Sequence, residues 1–144
     1  MDSDAIAALL AKCDGAARWS AGSIAAALKA GAICWIAERD RGLAGMILIR
    51  LAADEMEILN LGVSPQDRRK GIATRLLMQA LRHGAQHGVT RAYLEVRSKN
   101  EAGRNFYAAN SFRADGGREN YYTAPSDDAI LMSRALKRFD GKSL

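Results

Sequence analysis

The stretch of residues 58–73 restricts the possible folds of this chain more than any other segment. It begins with an apolar run at 58–63 that is compatible with a β-strand. Ser64-Pro65 ends that strand, because proline cannot donate a ladder hydrogen bond. A basic turn follows, made of Arg68, Arg69, Lys70 and Gly71, and it leads directly into a helical pattern. The stretch therefore predicts a strand, a short turn and the start of a helix.

This basic turn has the composition of an anion-binding site. The first turn of a helix carries unpaired N–H groups and a partial positive charge, which favour an anion. Three cationic side chains add positive charge, and Gly71 and Ala73 leave room for a ligand close to the backbone. The turn is typical of a pyrophosphate site, although it is also compatible with a solvated basic turn that caps an ordinary helix.

The length of 144 residues predicts a single domain, 1–144, with a basic tail at about 137–144. Cys13 and Cys34 lack a CxxC spacing and a neighbouring His cluster, which favours reduced thiols in a cytoplasmic protein. No apolar run reaches the roughly 20 residues that a membrane helix needs, and the acidic start differs from a secretory leader. We therefore expect a cytoplasmic protein without a membrane partner.

The formal net charge of +5 is compatible with nucleic acid, ribosomes or a polyanionic cofactor as partner. The chain has few aromatic residues and no RNP-like or zinc-finger spacing, so direct readout of nucleic acid is not expected. His83 and His87 are four residues apart but have no nearby carboxylate or cysteine, so no metal site is predicted. The oligomeric state stays open.

Hydrophobic periodicity predicts a mixed α/β fold. Helices are expected at 5–12, 21–28, 71–87 and, after an Asn100 cap, up to 109. Strands are expected at 32–38, 43–51, 56–63, 91–97, from 112 to a break at 115–117, and at 129–136 after a loop at 123–128. This order indicates a mostly antiparallel sheet with helices on both faces. One parallel pair should join 56–63 to 91–97 across the long helix.

Four segments carry motifs at a characteristic spacing. Arg68, Gly71 and Ala73 match the pattern Q/R-x-x-G-x-G/A within 58–77. The other segments are Trp19-Ser20, the run from L-E-V-R at 94–97 to Phe112, and N-Y-Y at 120–122 followed by D-A-I-L-M at 128–132. Together they resemble the GNAT acetyltransferases over nearly the whole chain, and within that superfamily they are most similar to the ribosomal-protein-alanine N-acetyltransferases.

The resemblance implies a GNAT-like sheet whose parallel pair is splayed to receive acetyl-coenzyme A as co-substrate, without a metal. Backbone groups of β-strand residues would meet the pantetheine arm and the acetyl carbonyl, and amides of the basic turn would hold the pyrophosphate. Asn100 would bond to the pantetheine chain, or it could serve only as a helix cap. The implied coenzyme-binding residues are Leu61, Gly62, Val63, Arg68, Arg69, Lys70, Gly71, Ile72, Ala73, Thr74 and Asn100.

The resemblance also implies that Glu95 is the general base and Tyr107 the general acid. These roles fit the chemistry, because the attacking amine must lose a proton and the departing thiolate must gain one. An N-terminal α-amine titrates near 8, so about a tenth of it is neutral at pH 7, against less than about a thousandth for lysine. Taken alone, Glu95 is also compatible with an outward strand residue and Tyr107 with core packing.

These implications favour an acetyl-coenzyme A-dependent N-α-acetyltransferase of a protein N-terminus, with a ribosomal protein as the expected acceptor. Transfer should be direct, because neither cysteine falls in the motif region. One alternative is a GNAT acetyltransferase of a small-molecule amine or a lysine side chain. Another is a non-catalytic module that binds acetyl-coenzyme A or the ribosome.

The acceptor side is less well defined by the sequence. Trp19, Tyr121 and Tyr122 are candidates for the acceptor groove, although Trp19 fits the core better and the two tyrosines fit a strand equally well. The chain also departs from the family, because the usual strand before the first helix is absent. That edge strand is expected to be missing unless the natural start lies upstream or another chain supplies the strand. The loop at 123–127 differs as well.

Overall fold

The computed structural model describes residues 2–13, 19–123 and 126–137, and it describes side chains in these ranges except at 116–127. The helices of the described residues are α1 (Ser3–Ala11), α2 (Ala21–Lys29), α3 (Ile72–Gln86) and α4 (Glu101–Ala109), with a 3-10 turn at Pro65–Asp67. The strands are β1 (Ile33–Arg39), β2 (Gly42–Ala52), β3 (Glu55–Val63), β4 (Arg91–Arg97), β5 (Arg113–Thr123) and β6 (Ser126–Ala135).

The strands form one sheet in the order β1-β2-β3-β4-β6-β5. Neighbouring strands are antiparallel except β3 and β4, which α3 connects as a parallel pair. The predicted mixed sheet and its parallel pair are therefore confirmed. In the described residues α1 is the first element and β1 forms one edge of the sheet. No helix in the described ranges is long and apolar enough to cross a membrane.

Helices cover both faces of the sheet, as predicted. On one face α3 buries Leu76, Leu77, Ala80 and Leu81 against β1, β2 and β3, and α4 adds partly buried aromatic side chains to this core. The spacing of these α3 residues places them on one stripe of the helix, which explains why the periodicity was readable from the sequence. On the other face α1 and α2 form a second, smaller core over β1 and β2.

A β-bulge interrupts β3 in its middle. Leu48 of β2 is opposite Asn60, and Ile49 is opposite Ile58, so Leu59 is an extra residue without a register partner. Because side chains alternate along a strand, the extra residue exchanges the two faces of β3 beyond this point. A bulge also bends and twists its strand. The second half of β3 therefore runs in a different direction from the first half.

The parallel pair separates just before this bulge. Register between β3 and β4 runs from Glu55 opposite Arg91 to Glu57 opposite Tyr93 and goes no further. Residues 58–63 of β3 and 94–97 of β4 consequently diverge, and the facing edge of β3 has no neighbouring strand there. The splay that the family resemblance implied is present, and the bulge supplies its physical cause.

Two expectations for the last hairpin are wrong. The predicted break at 115–117 does not occur, because β5 continues to Thr123 and pairs Gly116 with Leu131 and Gly117 with Ile130. The expected loop at 123–128 is shorter, because β6 already begins at Ser126. The register shifts between Ala114 and Gly116 and between Arg118 and Tyr122, so irregular residues that usually end a strand are accommodated as bulges.

Candidate active site

A cleft of about 300 Å³ opens between the diverging halves of β3 and β4. Its walls come from both strands, the basic turn before α3, and the first two turns of α4. The predicted site residues that line it are Leu61, Gly62, Val63, Arg68, Ala73, Glu95, Asn100 and Tyr107. These residues are spread over 47 positions of the sequence, and the splay of the parallel pair brings them together.

The β3 wall presents backbone to the cleft. Where no strand neighbours an edge, its N–H and C=O groups need another partner, such as water or a ligand. The amide of Leu61 donates to Oδ1 of Asn60 at 2.9 Å, so this buried asparagine satisfies one of those groups. Behind Gly62, a Cβ atom would lie 3.0 Å from Leu10 and 3.2 Å from Sγ of Cys13, so α1 packs directly on the glycine backbone.

The basic turn holds its backbone in an unusual conformation. Arg69 and Gly71 both have positive φ, at 63° and 77°, and Gly71 precedes the first residue of α3. No side chain caps this helix start, so the first amides of α3 have no side-chain partner from the capping residue. Arg68 and Ala73 line the cleft, and Arg69, Gly71, Ile72 and Thr74 belong to the adjoining turn and helix start. The geometry suits an anion.

Lys70 extends toward Asp67 rather than into the cleft. Its Nζ lies 3.4 Å from Oδ1 of Asp67, and it does not line the cleft. Asp67 is 5% exposed and also forms an ion pair with Arg39 at the end of β1. Sequence reasoning missed Asp67, although an acidic residue directly before three cations was a usable signal.

Glu95 lies on β4 and lines the part of the cleft whose wall is formed by this strand. The predicted alternation is confirmed, because Ala92, Leu94 and Val96 are buried on the α3 side while Glu95 faces the opposite side and is half-buried. Leu131 of β6 is its register partner. The half-buried carboxylate borders the cleft, where it can accept a proton from a bound group.

Tyr107 borders the same cleft from α4. Its ring makes edge-to-face contacts with Phe106 and Phe112, with centroid distances of 5.3 and 5.6 Å. Burial raises the pKa of the Tyr107 hydroxyl well above its usual range, so the protonated form is favoured at neutral pH. A carboxylate and a protonated phenol therefore line one cleft, an arrangement suited to removing one proton and supplying another.

Asn100 confirms its predicted role as the cap of α4. Its Oδ1 accepts from the amide of Gly103 at 3.0 Å, and both residues line the cleft. The side chain lies so close over Gly103 that an added Cβ would be 2.4 Å from Nδ2. Gly103 was not identified from the sequence, and its significance depends on this contact.

The cysteine placement corrects one premise of the sequence analysis. Cys13 falls outside the motif region of the sequence, yet it lines the cleft and its Sγ donates to the carbonyl of Val63 at 3.4 Å. It reaches this position because α1 ends over β3, and no sequence motif predicts this contact. Cys34 is buried in the second core, and desolvation raises its pKa to about 11.

Trp19, the one acceptor candidate whose side chain is described, does not line the cleft. Trp19 packs partly buried against the second core. Tyr121 and Tyr122 lie on β5, with Tyr122 opposite Asp127, and their side chains are outside the described part of the structure. A second cleft of about 470 Å³ lies between α1 and the β1–β2 hairpin and contains none of the predicted site residues.

Metal ligands are not clustered in the described residues, where no three His, Cys, Asp or Glu side chains are placed to hold one ion. His83 and His87 stack with ring centroids 4.1 Å apart. Nδ1 of His87 lies 2.8 Å from the carbonyl oxygen of His83, within its own helix.

Comparison with known proteins defines the family. The model of the acetyltransferase (GNAT) family matches residues 7–112, so the chain belongs to this family. A ribosomal protein bS18-alanine N-acetyltransferase of Salmonella typhimurium is 30% identical over 96 residues, which is 65% of each chain. The chain thus spans slightly less than two thirds of that relative.

Solved structures agree with this assignment. The ribosomal-protein-S18-alanine N-acetyltransferase of Escherichia coli superposes with a TM-score of 0.85 at 26% identity, covering 99% of this chain and 92% of that one. A GNAT family acetyltransferase of Elizabethkingia anophelis with acetyl-CoA bound has a TM-score of 0.75 at 18% identity, covering 90% and 89%. The second likeness shows the shared fold.

Proposed function

We propose that this protein is an acetyl-coenzyme A-dependent N-α-acetyltransferase that modifies the N-terminus of a protein, with a ribosomal protein as acceptor. The observation that carries the proposal is the cleft at the β3–β4 splay, which joins the basic turn to Glu95 and Tyr107. The names of the similar Salmonella and Escherichia proteins support the choice of acceptor.

The chain offers a suitable contact for each part of the coenzyme. The first amides of α3 and Arg68 would bind the diphosphate, because both are positive and near the cleft mouth. The edge of β3 at Leu61, Gly62 and Val63, which has no neighbouring strand, would pair with the amide-containing pantetheine arm through its remaining backbone groups. The acetyl-coenzyme A complex of the structurally similar Elizabethkingia protein supports this ligand class. The bound thioester supplies the activated acetyl group.

Glu95 and Tyr107 would handle the two protons of the transfer. Glu95 accepts the proton that the attacking amine must lose, directly or through water. Tyr107 donates to the departing thiolate, and burial keeps its hydroxyl protonated until that step. An α-amine needs less help than a lysine amine because its reference pKa is about 8 rather than about 10.4. This difference favours a protein N-terminus as acceptor.

Turnover on a panel of acceptors tests the proposal. Peptides with free N-termini, N-terminally blocked lysine peptides and small polyamines would each be incubated with acetyl-coenzyme A, and the product located by mass spectrometry. We expect acetylation confined to the free α-amine. Activity on polyamines or blocked peptides would mean that the acceptor is a small-molecule amine or a lysine side chain. Tight coenzyme binding with no turnover on any amine would support a non-catalytic module.

Direct transfer needs its own test, because Cys13 lines the cleft. If the amine attacks the thioester directly, Cys13→Ala should retain at least about half of the turnover, since general catalysis does not require a thiol. Cys34→Ala, in the second core, is the matched control. An acetylated Cys13 that forms and decays at the rate of turnover would contradict direct transfer.

A further inference from the structure

Asp67 is a buried carboxylate that the proposed chemistry does not use. It is 5% exposed, at the end of the 3-10 turn that leads into the basic turn. A buried carboxylate loses its hydration, so it persists only where cations or hydrogen-bond donors compensate. Two cations compensate Asp67 from different directions, Arg39 through an ion pair and Lys70 at 3.4 Å.

The two partners differ in what they anchor. Arg39 ends β1, opposite Gly42 at the β1–β2 hairpin, and its side chain is 30% exposed. Turning the Gln66 amide so that its oxygen faces Arg39 lets it accept from Nη2 at 2.6 Å. Lys70 lies within the basic turn and its side chain is 59% exposed. Asp67 therefore joins the rigid sheet edge to the turn whose amides precede α3.

Backbone contacts support the same connection. The amide of Asp67 donates to the carbonyl of Ser64 at 2.9 Å, and the amide of Ser64 donates to the carbonyl of Ala44 at 2.8 Å. These bonds fix the start of the segment on β2. Between Asp67 and α3 the chain passes through two residues with positive φ, Arg69 and Gly71. The Asp67 ion pairs restrain the part of the turn where the backbone conformation is least common.

We propose that Asp67 is a positioning residue for coenzyme binding, which holds the basic turn in its anion-binding conformation by tethering it to Arg39. This inference rests on the proposed function, because it assumes that the turn binds the coenzyme diphosphate. Asp67 does not touch the ligand in this account. It fixes the first amides of α3 before the ligand arrives, so less conformational entropy is lost on binding.

The direction in which one substitution changes the affinity for coenzyme A separates a positioning role from simple electrostatics. Asp67→Asn removes a negative charge near the diphosphate site and frees two cations, so Coulomb attraction alone predicts tighter binding of the polyanion. Loss of a preorganised turn predicts weaker binding. We expect coenzyme A to bind Asp67→Asn about tenfold more weakly, the equivalent of about 1.4 kcal/mol. Arg39→Gln should weaken binding similarly.

Isothermal titration with coenzyme A on the full chain would measure the dissociation constants of wild type, Asp67→Asn, Arg39→Gln and the double variant. The double variant should bind no more weakly than either single variant, because both remove one tether. Asp40→Asn, an exposed carboxylate next to Arg39, is the matched control and should not weaken binding. Titration well below each melting temperature separates this effect from stability.

Different outcomes test the positioning role of Asp67 and the proposed function. Unchanged or tighter binding by Asp67→Asn and Arg39→Gln, or additive losses in the double variant, would overturn the positioning role. No binding of coenzyme A by the wild-type chain would overturn the proposed function instead. If Asp67→Asn does not fold, Arg39→Gln still tests the positioning role, because its side chain is partly exposed. Its loss of affinity must persist at high salt, where the loss of a positive charge alone is screened, and unchanged affinity at high salt would overturn the positioning role.

Discussion

Glu95 and Tyr107 reach the cleft from different elements, and each can be altered without changing the shape of the site. Glu95 projects from β4 on the face opposite the main core, and Tyr107 projects from α4 beside Phe106 and Phe112. Isosteric substitutions remove the proton-transfer group and keep the packing. The resulting changes in rate then report chemistry rather than folding.

Glu95→Gln should lower the rate of acetyl transfer about a hundredfold, because a general base contributes about 10²–10⁴. The loss should be largest below pH 8 and shrink above pH 9, where the α-amine has lost its proton without help. Initial rates from pH 6 to 10 would show this profile. Glu57→Gln, on β3 and ion-paired with Arg50, is the control. A Glu95→Gln enzyme with the wild-type rate and profile would exclude Glu95 as the base.

Tyr107→Phe should lower turnover at least about tenfold while the affinity for coenzyme A stays within about twofold, because the ring contacts survive and only the acid is lost. Tyr93→Phe, a tyrosine of β4 outside the cleft, is the control. Full turnover by Tyr107→Phe would mean that another group protonates the thiolate.

The pKa of Tyr107 adds an expectation for the wild-type enzyme. Burial raises the pKa of this acid, so the protonated form persists to higher pH than for an exposed tyrosine. The rate should therefore rise as the α-ammonium group of the acceptor loses its proton. It should then stay level up to about pH 10, the reference pKa of tyrosine. Rates with a free N-terminal peptide would test this, and a fall centred near pH 9 would contradict it.

Residues with a local motif were predictable, and residues placed by tertiary contact were not. Glu95, Asn100 and Tyr107 follow the basic turn at a recognisable spacing, and the structure places all three at the cleft. Their catalytic and binding roles stay predictions. Cys13 was missed because the packing of α1 behind Gly62 depends on the folded sheet. Asp67 stands before three cations in the sequence, but its ion pair with Arg39 also depends on the folded sheet.

In α4 the low helix propensity of Gly103 is set against the capping contact of Asn100. Glycine inside a helix costs about 0.5–1 kcal/mol relative to alanine. At Gly103, however, an added Cβ would displace the Asn100 side chain that caps the helix. The absence of a side chain at Gly103 thus allows Asn100 to lie over the first turn at the cleft.

Gly103→Ala should leave the free energy of unfolding within about 1 kcal/mol, because a gain in propensity offsets the lost cap. Coenzyme A should bind at least about threefold more weakly, since Asn100 must leave the position that faces the cleft. Urea unfolding and titration would measure the two effects. Asn105→Ala, exposed on the same helix, raises propensity without this contact. Unchanged affinity in Gly103→Ala would remove Asn100 from the binding site.

Element types followed from periodicity, whereas irregularities within strands did not. The α3 stripe and the alternation of β4 were readable because burial repeats at the period of each structure. The bulge at Leu59 has no signal in the apolar run 58–63, since every residue there is compatible with either register. In β5 the Asp115-Gly116-Gly117 segment has a strong breaking composition, yet pairing with β6 overrides it.

The cleft exists because β3 and β4 begin as a parallel pair and then separate. The bulge redirects β3, and the chain must then turn through 64–71 to start α3 on the main core. One geometric event thus creates an unpaired strand edge and places a positive helix start at its end. This relation explains why a cleft at this place could be anticipated from a short central motif.

Hydrogen exchange with and without coenzyme A would show whether the ligand binds in the splay between β3 and β4. Ligand in the splay should slow exchange of the amides in residues 58–63 and 68–74, because it pairs with or covers them. The α1 amides at the second cleft should exchange at an unchanged rate. That pattern would place the coenzyme between β3 and β4. Protection concentrated at the second cleft, or binding without protection of the basic turn, would contradict the account.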